Sequence, residues 1–326
     1  MSKHLAVAMI DVAPLSGDDL PAKMRIAAEI DAACRGSGFF FAANHGIDLV
    51  SLETRTSKFH RVLTDEEKRR LAIHAYNPAS PRNRSGYYLA VEGRKANESF
   101  CYLNPSFDAK HPRIVAETPL HEMNVWPEET AYPGWRAFYE RFYWDVFELS
   151  SLLLRGFALA LGKPEQFFAR DFTSADTLSA VSLIRYPYLA DYPPIKTAED
   201  GTKLNFEHHK DVSLITVLYQ TAVPNLQALT SAGYVNVPTS EDAFLVNCGT
   251  YMSYMTKDYY SAPTHRVAFI NAERLSIPFF VHLSYSSVIQ PFSPSEPGGS
   301  GGNASLAYGA YLQKGLLDLI VTNGQT

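Results

Sequence analysis

Cysteine is scarce in this chain: Cys34, Cys101 and Cys248 are its only three among 326 residues. An odd number of widely spaced thiols excludes a disulfide framework and points to a reducing compartment. A basic excess is missing too. With 29 Lys and Arg against 34 Asp and Glu, the net charge of -5 offers no cationic stripe, so nucleic acid is not an expected partner. Long apolar runs are absent as well. The most apolar segment, Leu149 to Leu161, is interrupted by Arg155 and is too short to span a bilayer. The opening MSKHLAVAMIDV has no stretch long enough for a signal peptide. A cytoplasmic, monomeric protein with no membrane partner is the expectation.

What is plentiful is aromatic. Nineteen Tyr and 19 Phe, with a hydrophobic content of 46%, suit a large sheet-rich core. The first half reads mainly helical: Pro21 at a helix start, apolar spacing over Lys23 to Cys34, a helix over Leu49 to Leu63, and a Thr64/Glu67 capping box for a helix running to about His74. GFFFAANHGI is a short strand ending in a turn. Pro133 opens a long amphipathic helix that stops at Gly162. From Leu178 the pattern changes to β-branched and aromatic runs: LSAVSLIRYPYL, LNFEHHKDVSLITVLYQ, NLQAL, YVNVP, AFLVNCGTYMSYM, HRVAFI and LSIPFFVHLSY. These predict a mixed α/β protein with a mainly-β core, a double-stranded β-helix or jelly roll flanked by helices. We expect one domain: a helical region over 1–175, the jelly-roll core with the metal site over 176–292, and a C-terminal helix and tail over 304–326.

His209 and Asp211 form an H-x-D pair in a strand-like run, so both side chains face one way, while His208 faces the other. His265 opens a separate strand. Two imidazoles and one carboxylate are the donor set of the facial triad that holds non-haem Fe(II) and leaves positions open for substrate and O2. A chance H-x-D pair and a satisfied core histidine are the alternative. Arg274 and Ser276 then alternate onto one strand face as an R-x-S pair. A guanidinium fork beside a hydroxyl is a carboxylate site, unless it is an ion pair at a strand end.

H-x-D, a distal His and R-x-S in this order resemble the Fe(II)-dependent oxygenase superfamily that includes the 2-oxoglutarate enzymes. RSGYYLAVEGRKANESFCYLNPSF, NVWPEET, SLIRYPYL, GTKLNFEHHKDVSLITVLYQ, FLVNCGTYM, INAERLSIPFF and the terminal NGQT are similar, in more detail, to the isopenicillin N synthase family, and to its bacterial branch. The resemblance runs from about Ile10 to Thr326. It implies Fe(II) as cofactor, O2 as co-substrate and no 2-oxoglutarate. It implies a tripeptide substrate, δ-(L-α-aminoadipoyl)-L-cysteinyl-D-valine, closed oxidatively into a bicyclic β-lactam. The valine carboxylate would meet Arg274, Ser276 and Tyr186. The remote carboxylate would meet Arg84, with Tyr88 nearby, in a loop that otherwise reads as solvated. Phe206, Leu218, Leu226, Val267, Pro278 and Phe280 would wall the valine side chain, though each equally suits plain core. Gln325 would take an iron position before substrate arrives, and Thr326 would close over the peptide.

The chain departs from the family pattern in places. Lys210 stands between the triad His and Asp, His282 stands where an Asn is common, and a substrate-contacting serine falls at either Ser179 or Ser182. Two rival functions remain open here. One is a 2-oxoglutarate-dependent oxygenase whose R-x-S pair grips the co-substrate. The other is a metal-free binding module that has kept the fold and lost catalysis.

Overall fold

A computed structural model describes residues 4–91, 97–188, 196–294 and 306–322. Its strands are β1 (Ala8–Asp11), β2 (Phe39–Ala43), β3 (Gly86–Tyr88), β4 (Glu98–Leu103), β5 (Ala180–Tyr186), β6 (Lys196–Thr197), β7 (Lys203–His209), β8 (Ile215–Gln220), β9 (Leu226–Thr230), β10 (Gly233–Asn236), β11 (Phe244–Cys248), β12 (His265–Ala268) and β13 (Arg274–Val281). The helices are α1 (Leu20–Gly36), α2 (Leu49–Val62), α3 (Asp65–Arg70), α4 (Pro112–Val115), α5 (Trp135–Ala160), α6 (Thr250–Met255) and α7 (Tyr308–Thr322). Local chemistry sets the helix starts. Asp19 and Asp48 cap α1 and α2 by accepting from backbone amides, and Thr64 with Glu67 forms the expected capping box of α3.

The strands make an eight-stranded sheet, in the order β1-β2-β11-β8-β13-β5-β4-β3, and a five-stranded sheet, β10-β9-β12-β7-β6. Apart from β1 and β2, which run parallel, neighbouring strands are antiparallel. This is the expected jelly-roll architecture. One apolar cluster unites residues of both sheets, Phe39, Phe41, Tyr186 and Leu245 of the larger with Leu226, Ala228 and Val267 of the smaller. The sheets therefore pack face to face. A larger cluster covers the other face of the eight-stranded sheet, where α5 buries Tyr139, Tyr143, Val146, Leu153 and Phe157 along one stripe. Tyr143 meets Phe279 there at 5.1 Å between ring centroids.

Period-two alternation sorts side chains between these faces. On β13, Ile277, Phe279 and Val281 enter the helix-side core, which turns Arg274, Ser276, Pro278 and Phe280 toward the smaller sheet. On β8, Ile215, Val217 and Tyr219 do the same, which leaves Thr216, Leu218 and Gln220 inside.

The mainly helical first half also supplies four strands to the larger sheet: β2 is the strand expected at GFFFAANHGI, while sequence reading misses β1, β3 and β4. Two local expectations need correcting. GTYMSYM does not continue β11 but folds into α6, because Tyr251 packs on Tyr308 and Tyr311 at 4.6 and 4.9 Å and tertiary contact overrides β propensity. The helix expected to reach His74 ends at Arg70, since Ala72 bridges to Tyr87 and Ile73 donates its amide to the Tyr87 carbonyl.

Candidate metal centre

His209 closes β7 and His265 opens β12, and the two are direct partners in the antiparallel register. Asp211 lies just beyond the strand, where the chain turns toward β8. Ligating atoms of the three side chains all lie within 4.8 Å of one another. His209 Nε2 and His265 Nε2 stand 3.7 and 3.6 Å from Asp211 Oδ1. His208 and Lys210 are exposed, as the alternation requires.

The surroundings prepare these atoms to bind a cation. His209 Nδ1 faces the Glu207 carbonyl at 2.9 Å, and His265 Nδ1 faces the Pro263 carbonyl at 3.1 Å. A carbonyl only accepts, so each ring places a hydrogen on Nδ1 and turns Nε2 inward, the nitrogen left to meet a metal. Burial, helped by the neighbouring His265, pushes His209 down to about 4, so it is neutral near pH 7. Burial would raise Asp211, but His265, His209, Thr216 and Asn247 outweigh it and hold the carboxyl below its usual range. Asp211 Oδ2 accepts from Thr216 Oγ1 at 2.7 Å and Asn247 Nδ2 at 2.9 Å. Oδ2 is thus occupied and Oδ1 is left for a metal. Two imidazoles turned inward through Nε2 and an oriented carboxylate fit Fe(II).

Of the six expected wall residues, Leu226 and Val267 belong to the cluster between the sheets, and Phe206 and Leu218 pack against it. Phe206 meets the His209 ring edge-on at 4.7 Å. Pro278 and Phe280 share their strand face with Arg274.

Arg274 is 2% exposed. Its guanidinium lies 4.9 Å from the Tyr186 ring, directly across from it in the β13–β5 register. Ser276 is buried beside it. The loop carrying Arg84, which sequence reads as solvated, is braced. The Glu122 carboxylate accepts from the successive amides of Asn83, Arg84 and Ser85 at 2.9 to 3.1 Å. Arg84 itself is half-buried and donates to the Leu120 and Leu178 carbonyls. Tyr88 donates to the Arg84 carbonyl.

Register ties these two regions together. Tyr88 pairs with Ser99, Ser99 with Ile184, Ile184 with Ser276, and Ser276 with Gln220. The five residues form one row across the sheet. Tyr88 and Ser276 are three strand spacings apart, roughly 14 Å.

The two candidate serines differ in location. Ser179 is fully buried and accepts from the His282 amide, just beyond β13, at 2.9 Å, whereas Ser182 shares a strand face with Ile184 and Tyr186. His282 lies outside the metal group and its Nδ1 is 2.6 Å from Tyr308 Oη. Cys248 is buried and Cys101 half-buried, its thiol pushed up to about 12 by burial. Gln325 and Thr326 lie outside the described residues.

Sequence reading missed Thr216, Gln220 and Asn247. A signal existed: each is a polar residue at an inward position of a strand whose neighbours are apolar.

Among the described residues, no helix is long and apolar enough to cross a membrane. Residues 179–283 match the 2OG-Fe(II) oxygenase superfamily, and residues 7–129 match the non-haem dioxygenase in morphine synthesis N-terminal family. Among solved structures, a full-length Neurospora crassa protein in complex with alpha-KG superposes with a TM-score of 0.80 at 18% identity, covering 97% of each chain, which establishes the fold. Among curated relatives, isopenicillin N synthase of Flavobacterium sp. (strain SC 12,154) is 62% identical over 326 residues, all of both chains. That of Lysobacter lactamgenus is 61% identical, again over all of both chains.

Proposed function

The chain belongs to the isopenicillin N synthase family, and on that premise we propose that it oxidises δ-(L-α-aminoadipoyl)-L-cysteinyl-D-valine to isopenicillin N, in penicillin and cephalosporin biosynthesis. The tripeptide loses four hydrogens as a carbon–nitrogen and a carbon–sulfur bond close its two rings, and O2 takes up the four electrons and four protons as two waters. The substrate supplies every electron, so 2-oxoglutarate is not needed. The observation that carries this reading is the convergence of His209, Asp211 and His265 inside a chain matched end to end by these relatives.

His209, Asp211 and His265 would hold Fe(II), which when bound supplies the activation of O2. The remaining work belongs to the protein. Arg274, Ser276 and Tyr186 hold the valine carboxylate, and Arg84 with Tyr88 holds the aminoadipoyl end. The row from Tyr88 to Ser276 supports two anchors at the ends of one extended peptide, which fixes the cysteinyl thiol between them. Phe206, Leu218, Leu226, Val267, Pro278 and Phe280 form a dry wall that excludes water during the oxidation. Gln325 and Thr326 keep the roles that the family suggests, a ligand released on substrate binding and a closing contact. Three free thiols support a reducing, cytosolic setting, with the protein acting as a monomer.

The test is O2 consumption by the Fe(II)-loaded protein with the tripeptide, in the presence and absence of 2-oxoglutarate. We expect uptake without 2-oxoglutarate and a product lighter by four hydrogens. Uptake that requires 2-oxoglutarate would sink the proposal.

A further inference from the structure

Arg274 Nη2 donates to Gln220 Oε1 at 2.8 Å. Around this bond three buried donors make no hydrogen bond of good geometry among the described residues: Arg274 Nε, Arg274 Nη1 and Gln220 Nε2, with the Tyr186 side chain as the neighbour that favours the Arg274 charge. The amide cannot be turned to relieve the last of them. A guanidinium has donors only, so the amide oxygen must face it and Nε2 must point away. Gln220 and Arg274 are each 2% exposed, so water does not supply the missing acceptors freely. No acidic side chain among the described residues forms an ion pair with Arg274. Buried donors left in this state are unfavourable, and a carboxylate, which only accepts, satisfies several at once.

Gln220 is also in the right place. It stands directly opposite Ser276 in the β13–β8 register and ends the row that begins at Tyr88. The β8 alternation turns it to the inner face with Thr216 and Leu218.

From this geometry we infer that Gln220 is a further substrate-binding residue: its Nε2 donates to the valine carboxylate, while its Oε1 holds the Arg274 fork in position. The inference rests on the tripeptide reading above and adds to it a residue on the strand flanking β13, opposite β5. Gln220 thereby contributes to selecting a ligand that ends in a carboxylate over one that ends in a neutral group.

The experiment is calorimetric binding to the Fe(II)-loaded protein without O2, using the tripeptide and its valine carboxamide analogue. The variants are Gln220→Met, which keeps the volume and removes the donor, and Gln220→Glu, which sets a competing carboxylate against Arg274. Losing a hydrogen bond to a charged group should weaken the acid by roughly tenfold to a hundredfold in Gln220→Met and leave the carboxamide unchanged. Gln220→Glu should lose the acid while still folding and taking up Fe(II). If Gln220→Met weakens acid and carboxamide equally, or neither, and Gln220→Glu still binds the acid, the inference is overturned and the tripeptide reading stands. A wild-type protein indifferent to the carboxylate overturns both.

Discussion

Thr216 Oγ1 donates to Asp211 Oδ2 at 2.7 Å, across the turn that separates the metal ligand from β8. Together with Asn247 it decides which carboxylate oxygen faces the histidines. Thr216→Val keeps the shape and removes the donor. Outer partners of this kind are worth about 10- to 100-fold in metal affinity. We predict a loss of that size in anaerobic Fe(II) titration, with little change in thermal unfolding; unchanged affinity would show that the orientation of Asp211 is set elsewhere.

Gly249 has a different connection to the same turn. A Cβ built there would lie 2.0 Å from the Ser213 carbonyl oxygen, a backbone atom that cannot swing aside. Gly249→Ala should destabilise the fold by about 1–3 kcal/mol through overpacking. It should also weaken Fe(II) binding, because Ser213 is two residues from Asp211. Urea unfolding with a midpoint equal to wild type would refute this account.

The same turn shows what could and could not be read in advance. H-x-D and R-x-S were legible because residues two apart on a strand share a face, whatever the rest of the chain does. The supporting atoms were less legible. Asn247 reaches Asp211 only because β11 lies beside β8, a pairing between distant segments that local pattern does not encode. Strand β4 was hidden for a related reason. ESFCYL is buried along most of its length and shows no alternation, so nothing local separates it from a loop between helices. The loop at Arg84 looked solvated because its brace, Glu122, lies well downstream.

Acid should unfold the protein partly through His60. The ring is fully buried, with Nδ1 2.8 Å from the Tyr87 hydroxyl and Nε2 3.0 Å from the Leu183 carbonyl. Burial lowers it from 6.5 to about 4; Glu98, 3.8 Å away, favours the proton, but Lys68 and Arg185 oppose it. Between those values the unfolded chain binds a proton that the folded chain refuses. The contribution is therefore complete above pH 6.5 and is lost as pH falls toward 4, by about 3 kcal/mol in all. Urea unfolding across this range should show a shallower pH slope in His60→Gln than in wild type. Parallel slopes would count against the assignment.

Tyr308 ties the C-terminal helix to the segment that follows β13. Its oxygen accepts from the Leu283 amide, and its hydroxyl is hydrogen-bonded to His282 Nδ1 at 2.6 Å. Tyr308→Phe removes this link at a cost of about 0.5–1.5 kcal/mol. Amides early in α7 should exchange faster with deuterium, while those of β13 keep their protection. Equal protection of α7 in both proteins would mean that the helix is held by packing alone.

β13 presents a guanidinium and a hydroxyl on one side and Ile277, Phe279 and Val281 on the other. A slip of one residue would drive Arg274 into the helix-side core and turn Phe279 toward the smaller sheet. Insertions and deletions within this strand are thus barred twice over, once by folding and once by chemistry. The buried charge of Arg274 thereby acts as a proofreader of assembly: a chain that has paired β13 out of step cannot bury its core.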